Sequence, residues 1–171
     1  MRSVSKLLLF VLLTILLTSN TTQSKQQIFL QLVNSNGQPI RGNSVHRGYE
    51  RQLIVTSFSG ITTDNAKVQF TISSGGFSAN LITIQSNKET LPYAVFTITE
   101  SGESKLNILS IIRLEAIRIL SVKDTDGSTH VTLQAERIGS TYYQYDRKTG
   151  IRSVSGKTGY DYTKRQIWNS F

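Results

Sequence analysis

The sequence predicts a mainly β protein: a compact antiparallel β-barrel or sandwich of about eight or nine strands with one short flanking α-helix. Apolar and polar residues alternate with period two through most of the chain, which is the spacing of half-buried strands. Clusters of Gly, Asn, Ser and Asp separate these runs, as turns do. The chain shows no strand-helix-strand rhythm, so a parallel sheet is not expected.

The first 24 residues are predicted to be a secretory signal peptide, which leaves residues 25–171 as one barrel domain. Arg2 and Lys6 precede an uncharged apolar run, Leu7–Leu17. That run is about 11 residues long, whereas a membrane-spanning helix needs roughly 20. Small side chains follow at the −3 and −1 positions of a cleavage site. The alternative is a buried N-terminal helix or an uncleaved anchor, which looks similar by hydropathy.

The composition excludes several classes of protein. The chain has 171 residues, no Cys, two His and one Trp, which rules out a disulfide scaffold, a Cys-based zinc site and a Cys nucleophile. Lys and Arg outnumber Asp and Glu by 19 to 11, and loss of Arg2 and Lys6 with the signal peptide leaves 17 against 11. An exported chain without disulfides needs an ordinary packed core, and about 147 residues is enough to build one.

Polar connections separate the first three predicted strands. Apolar side chains alternate through residues 28–32, 53–58 and 68–72. Residues 34–50 are rich in Gly, Asn and Ser, so they are interpreted as a long irregular connection. The loop after the second strand is expected to be short, at about Gly60 to Asn65.

One short helix is predicted after the third strand. Ser78 can cap its N-terminus, and Leu81, Ile82 and Ile84 form a modest apolar stripe before polar residues end the helix. Pro92 is expected to open the next strand.

The segment 106–122 could be drawn as a helix or a strand. Its five Ile residues favour a strand, because side chains branched at Cβ lose rotamer freedom on a helix. The apolar phase shifts between Leu114 and Ile117, which predicts a bulge or bend near Glu115–Ala116. Asp126–Gly127 is the strongest hairpin signal in the chain.

Two short patterns resemble ligand-binding loops but lack the required spacing. Gly156–Thr158 reads Gly-Lys-Thr, as in phosphate-binding loops, yet the preceding glycine stands at the wrong distance. We interpret it as a solvated basic turn. Asp124–Gly127 matches a fragment of a calcium loop, but the distal ligands are missing, so a plain turn is expected.

No catalytic constellation is found. Ser78 lies in a string that resembles a nucleophile elbow, but Asn80 stands where the elbow needs Gly. His46 and His130 are the sole candidate bases, and the carboxylates are scattered. We therefore assign no catalytic, cofactor-binding or metal-binding residues, and we expect no enzyme activity and no cofactor.

Residues 137–171 combine positive charge with aromatic rings. They hold seven Lys or Arg against Asp146 and Asp161, interleaved with five Tyr and Trp168. This pattern is typical of single-stranded nucleic acid binding. An exported protein seldom meets that partner, and edge strands at a protein interface use the same residues. We therefore interpret the segment as a protein interface.

Several strings occur in the order found in one known family. They are Ile28–Leu32, Arg41–Ser44, His46–Gly48, Ile54–Ser59, Phe70–Ile72, Asn80–Leu81, Pro92–Ile98, Leu114–Ile119, Val131–Gln134, Tyr142–Tyr143 and, as a C-terminal strand, Gly159–Gln166. This colinear series, spanning residues 28 to 168, resembles the Hcp family, the haemolysin-coregulated tube proteins of type VI secretion.

The resemblance implies a β-barrel that assembles into six-membered rings with a wide channel, the rings stacking into a tube. It implies no catalytic residues, copies of the chain as partners, and protein cargo in the channel. Two features depart from the family pattern. Its members generally lack a signal peptide, and their loop after the second strand is long.

The leading hypothesis is therefore an exported, non-enzymatic structural protein that forms rings and an extracellular tube or channel. We expect it to be secreted, or periplasmic in a Gram-negative bacterium, with no membrane span after signal cleavage. The alternative is a monomeric secreted module that recognises a polysaccharide or a protein through residues 34–50. A secreted enzyme and a surface that adsorbs anionic polymers are further alternatives.

Overall fold

A computed structural model describes residues 25–62, 66–102, 105–146 and 148–171. The signal peptide predicted at residues 1–24 lies outside these ranges. The prediction of a mainly β protein with one short helix is confirmed. In chain order the elements are β1 Gln26–Leu32, β2 Leu53–Thr62, β3 Lys67–Ser73, α1 Gly76–Ser86, β4 Thr90–Ser101, β5 Leu106–Thr125, β6 Ser128–Tyr145, β7 Arg152–Asp161 and β8 Gln166–Ile167.

Six of the strands close into an antiparallel barrel. The strand order is β3-β2-β1-β4-β5-β6, and β6 returns to pair with β3 from Lys67↔Gln134 to Ser73↔Ser128. β7 and β8 continue the sheet from β6, outside the closed part. The predicted barrel is thus confirmed, with two additional strands attached to one side.

Alternating apolar side chains fill the barrel. Leu30 and Phe96 are fully buried, and the Phe96 ring lies 5.1 Å from that of Phe58 and 5.3 Å from that of Phe70. Leu81 of α1 is also fully buried, so the helix closes over part of the core. Burying one such side chain contributes roughly 1.5–3 kcal/mol, which makes this interior the main source of stability.

The N-terminus of α1 differs from the prediction. Gly75 is the N-cap and Ser78 is the third helical residue, so the prediction that Ser78 caps the helix is wrong. Ser78 instead takes part in capping from the third helical position. The Ser78 hydroxyl accepts a hydrogen bond from the Gly75 N–H at 3.2 Å and lies 2.7 Å from the Thr129 hydroxyl. Ile82 is exposed rather than part of the buried stripe.

The predicted bend in β5 is confirmed. Leu114 and Ile117 are both fully buried, and Ala116 between them has a φ of 49°, which reverses the side-chain alternation. In the pairing with β4, Tyr93 faces Glu115 and Leu91 faces Ile117. Pro92, which lacks an N–H, therefore lies opposite the bend, two residues after the start of β4 rather than opening the strand.

The two predicted turns after β2 and β5 have different outcomes. Asp126 and Gly127 have φ values of 49° and 76°, as in the type I′ turn expected for this hairpin. β2 continues to Thr62, so the prediction that its loop begins at Gly60 is wrong. The rest of that loop, residues 63–65, lies outside the described ranges.

The predicted irregular connection between β1 and β2 is confirmed, and it packs on the outside of the barrel. Phe29 points outward from β1 yet is fully buried, because the Tyr49 ring stacks on it at 4.3 Å and the His46 ring meets it edge-on at 5.3 Å. Burial raises the pKa of the Tyr49 hydroxyl. The connection is therefore part of the folded domain.

Candidate assembly surface

β6 changes its pairing partner halfway along its length. Residues Ser128–Gln134 pair with β3, whereas Arg137–Tyr145 pair with β7. The second half of β6 therefore carries β7 away from the closed barrel. We call residues 137–146 and 148–171 the extension, and residues 168–171 alone the tail.

β7 is exposed along most of its length. Its outer edge from Arg152 to Thr158 has no strand partner in the described part of the chain, because β8 pairs only with Tyr160 and Asp161. Three apolar side chains here are exposed: Ile151 by 66%, Val154 by 58% and Ile167 by 73%. An open edge beside exposed apolar side chains is a surface suited to pairing with another chain.

Two sequence predictions for this region are wrong. Gly156–Thr158 lies within β7 and is not a turn. It is strand rather than a phosphate loop, since a phosphate loop opens a helix. The C-terminal strand predicted over residues 159–166 is interrupted, because residues 162–165 form a turn between β7 and β8.

The tail folds back over a pair of glycines. Gly139 and Gly159 face each other across β6 and β7, and the Phe171 ring lies over both. A Cβ atom on Gly139 would stand 2.6 Å from that ring, so only glycine leaves room for it. The main-chain N–H of Trp168 donates a hydrogen bond to the Gly159 carbonyl oxygen at 3.0 Å, and this bond fixes the start of the tail.

On one face of the extension, which we call the outer face, basic side chains contact aromatic rings. The Arg152 guanidinium lies 4.6 Å from the Tyr143 ring centre, and the Lys157 ammonium lies 4.3 Å from that of Phe171. Lys157 also donates to the main-chain oxygen of Phe171 at 2.7 Å. Arg137 lies 5.5 Å from the Trp168 ring and forms an ion pair with Glu115. These cations stabilise the extension itself.

A groove of about 1020 Å³ lies on the opposite face, where β6 leaves β3. Its lining includes three tyrosines, Tyr142, Tyr160 and Tyr162, and two arginines, Arg118 and Arg165. The Tyr160 and Tyr162 rings meet edge-on at 5.0 Å. Burial, followed by the neighbouring Tyr160, raises the pKa of Tyr162. We call this feature the tyrosine groove.

The residues considered for catalysis are occupied by structural contacts. His130 Nδ1 lies 3.0 Å from the Thr71 hydroxyl, and His46 packs on Phe29. Ser78 is buried against Thr129, so the nucleophile elbow is not formed.

The calcium-loop pattern is likewise accounted for by structure. Asp124 Oδ1 accepts hydrogen bonds from the hydroxyls of Ser74 and Thr129. In the described ranges, no group of three His, Cys, Asp or Glu side chains could hold a metal ion.

A second cleft, of about 660 Å³, lies between the irregular connection and α1. It is lined by polar side chains that include Asn34, Arg41, Asn80 and Glu89. The Ser35 hydroxyl donates to Glu89 at 2.8 Å, and this hydrogen bond lowers the pKa of that carboxyl. The cleft is where a binding role for residues 34–50 would reside.

Sequence reasoning predicts edge strands within residues 137–171, but it does not identify β7 as the open edge and misses the glycine pair and the tyrosine groove. Gly139 and Gly159 stand inside strand patterns, where an isolated glycine signals a close approach of another group. The sequence therefore contains a signal for the packing of the tail on these two glycines. The apolar phase of β6 shifts between Ala135 and Ile138, where the pairing changes from β3 to β7, but this shift does not say which strand becomes the new partner.

The described residues include no helix of the length and apolar character needed to cross a membrane.

No protein-family model and no curated protein matches the sequence. Solved structures do match. Hcp1 from Salmonella typhimurium has a TM-score of 0.67 at 18% identity, covering 84% of this chain and 99% of that one. A type six secretion system protein has a TM-score of 0.69 at 13% identity, and the match covers 84% of this chain and 100% of that one. The secreted protein Hcp3 from Pseudomonas aeruginosa has a TM-score of 0.63 at 15% identity, and the match covers 81% of this chain and 99% of that one.

These matches extend over nearly the whole length of the solved proteins. The resemblance inferred from the order of sequence strings is therefore confirmed at the level of the fold: the described chain has the fold of the Hcp proteins of type VI secretion.

Proposed function

We propose that this chain is an exported, non-enzymatic structural protein that self-associates into rings of the Hcp type, which stack into a tube or channel. The observation that carries the proposal is the likeness of fold over the full length of Hcp proteins. Among the described residues, the side chains considered for catalysis make structural contacts, Ser78 with Thr129, His130 with Thr71 and His46 with Phe29, which supports a structural role.

The extension supports self-association. Its open β7 edge and its exposed Ile151, Val154 and Ile167 offer a surface that the folded monomer leaves uncovered. If this surface meets a different patch on the next copy, rotation repeats the contact and closes a ring. A stable contact of this kind buries about 1,200–2,000 Å² in total.

Export is part of the proposal. Residues 1–24 have the charge, the short apolar run and the small cleavage-site residues of a signal peptide. Signal cleavage would release residues 25–171, the secreted or periplasmic domain, in which rings assemble. Protein cargo in the ring channel is a further element of the proposal, taken from the family resemblance.

The test is the oligomeric state of residues 25–171. Light scattering after size-exclusion chromatography should give a multiple of the monomer mass, and negative-stain microscopy should show annuli or filaments. Val154→Lys should reduce assembly, because it places a charge on the exposed apolar patch. Ile82→Lys, the same change at an exposed site on α1, is the matched control. A monomer at every concentration tested would refute ring formation.

The alternative is a monomeric module that binds a polysaccharide or protein at the polar cleft beside α1. Replacing residues 34–50 would be a poor test, because it would uncover Phe29. The sharper test is Arg41→Ala combined with Asn80→Ala, since both side chains are exposed and line the cleft. This alternative expects a monomer whose binding is lost in the double variant.

A further inference from the structure

We propose that the tyrosine groove binds a linear anionic polysaccharide of the uronic acid type. This role goes beyond ring assembly and uses a different face of the extension. The groove is about 1020 Å³ in volume and is open to solvent, with Tyr142 48% exposed and Tyr160 38% exposed. Partly exposed tyrosines combine a flat apolar ring with a hydroxyl, so they can pack on a sugar ring and hydrogen-bond its hydroxyl groups.

The spacing of the two exposed rings favours an extended ligand. Tyr160 pairs with Ile138, and Tyr142 lies four residues further along β6, opposite Gly156. At the rise of a β-strand, four residues correspond to roughly 13 Å. Gly156 leaves the space beside Tyr142 unfilled, since even an added Cβ would stand 3.8 Å from that ring. The two rings can therefore contact separate units of one chain.

The charge of the groove favours an anion. Arg118 and Arg165 are exposed, and neither forms an ion pair with a carboxylate in the described ranges. On the outer face, by contrast, Arg137 pairs with Glu115 and Lys157 binds main-chain oxygens. The groove therefore retains two guanidinium groups suited to bidentate contact with a carboxylate.

The remaining lining distinguishes a polysaccharide from a nucleic acid. Ser140, Thr158, Thr163 and Glu136 also line the groove, and these groups bind hydroxyls. The groove lining has the carboxylate of Glu136 beside two cations, Arg118 and Arg165. Single-stranded nucleic acids carry a phosphate at every unit and bind to a continuous basic groove, so this lining disfavours them. A hydroxyl-rich chain with spaced carboxylates fits this set of side chains better.

The test measures binding of hyaluronan oligosaccharides, in which a uronic acid alternates with a neutral sugar, to residues 25–171 by isothermal titration calorimetry, with dextran and oligo-dT as comparison ligands. We expect the uronic acid chain to bind best. Tyr160→Ala and Arg118→Gln should each weaken binding by about tenfold, the loss of one stacked ring or one charge-assisted contact. Tyr160→Phe should retain most of the affinity, because it keeps the ring.

The matched controls lie on the opposite face of the same strands. Tyr143→Ala and Arg152→Gln remove the same chemical groups outside the groove and should leave the affinity within about twofold. Val154→Lys, which tests ring assembly, should also leave it unchanged, so the two proposals fail separately.

Several results would overturn the groove proposal. The protein would fail to bind the uronic acid chain, would bind dextran equally well, or would bind oligo-dT more tightly than the uronic acid chain. Alternatively, the groove variants and the control variants would lose the same amount of affinity for the uronic acid chain. Groove variants that lower the oligomer mass without changing sugar affinity would show instead that a second copy occupies the groove.

Discussion

The barrel and the extension use apolar side chains in opposite ways. In the barrel, Leu30 and Phe96 have no exposed surface. In the extension, Val154 and Ile167 are more than half exposed, and β7 is held mainly by its hydrogen bonds to β6. The difference indicates that the barrel supplies stability, whereas the extension presents surface to partners. Substitutions of equal size should therefore have unequal consequences in the two regions.

The largest effect is expected from Phe96→Ala in the barrel. The substitution empties the centre of a cluster that includes the rings of Phe58 and Phe70. We expect the free energy of unfolding to fall by about 3–5 kcal/mol, the usual cost of removing a buried aromatic ring. Urea unfolding of residues 25–171, followed by circular dichroism, measures it.

Val154→Ala is the matched substitution in the extension. Because Val154 is 58% exposed, its loss should change the unfolding free energy by less than about 0.5 kcal/mol. Comparable losses for Phe96→Ala and Val154→Ala would contradict the division of roles between barrel and extension.

An intermediate effect is expected from Gly139→Ala beneath the tail. The added methyl group would overlap the Phe171 ring and displace it. We expect a loss of about 1–2 kcal/mol, as for overpacking elsewhere, with a shift of Trp168 fluorescence because that indole packs on Phe171. Gly156→Ala is the control, since its Cβ would meet Tyr142 at an ordinary 3.8 Å. An unchanged spectrum in the Gly139 variant would show that the ring is not held on the glycines.

A stabilising effect, smaller than the loss at Gly139, is expected at the bend in β5. Ala116 has a φ of 49°, a conformation that costs a residue with Cβ about 1–2 kcal/mol. Glycine removes that cost but loses roughly 0.5–1 kcal/mol through its freer unfolded state. Ala116→Gly should therefore raise the unfolding free energy by about 0.5–1 kcal/mol in thermal or urea unfolding. Ala94→Gly, at a buried position in β4, should lower it instead.

Much of the barrel could be predicted because its signals are local. The Asp126–Gly127 turn follows from residues that tolerate positive φ. The phase shift between Leu114 and Ile117 marks the bend, since a strand buries every second residue unless its backbone is irregular. These rules concern neighbours in sequence, so one chain is sufficient to apply them.

The extension could not be predicted in the same way. Gly156–Thr158 has turn-like composition but lies in a strand, because pairing with the distant segment of β6 outweighs local preference. Ser78 has cap-like composition but is the third helical residue, where its hydroxyl contacts the distant Thr129 of β6. The tyrosine groove likewise depends on where β6 leaves β3, and this pairing joins residues far apart in sequence.

The long hairpin of β5 and β6 has a consequence for how the chain reaches its native state. Its strands are joined by a two-residue turn, so they can form their hydrogen bonds early in folding. Pairing β3 with β6, in contrast, closes loops of more than fifty residues. Loop-closure entropy makes such distant pairing the slow event. We therefore expect barrel closure to limit the refolding rate, and stopped-flow refolding should be slowed more by weakening the Asp126–Gly127 turn than by deleting the tail.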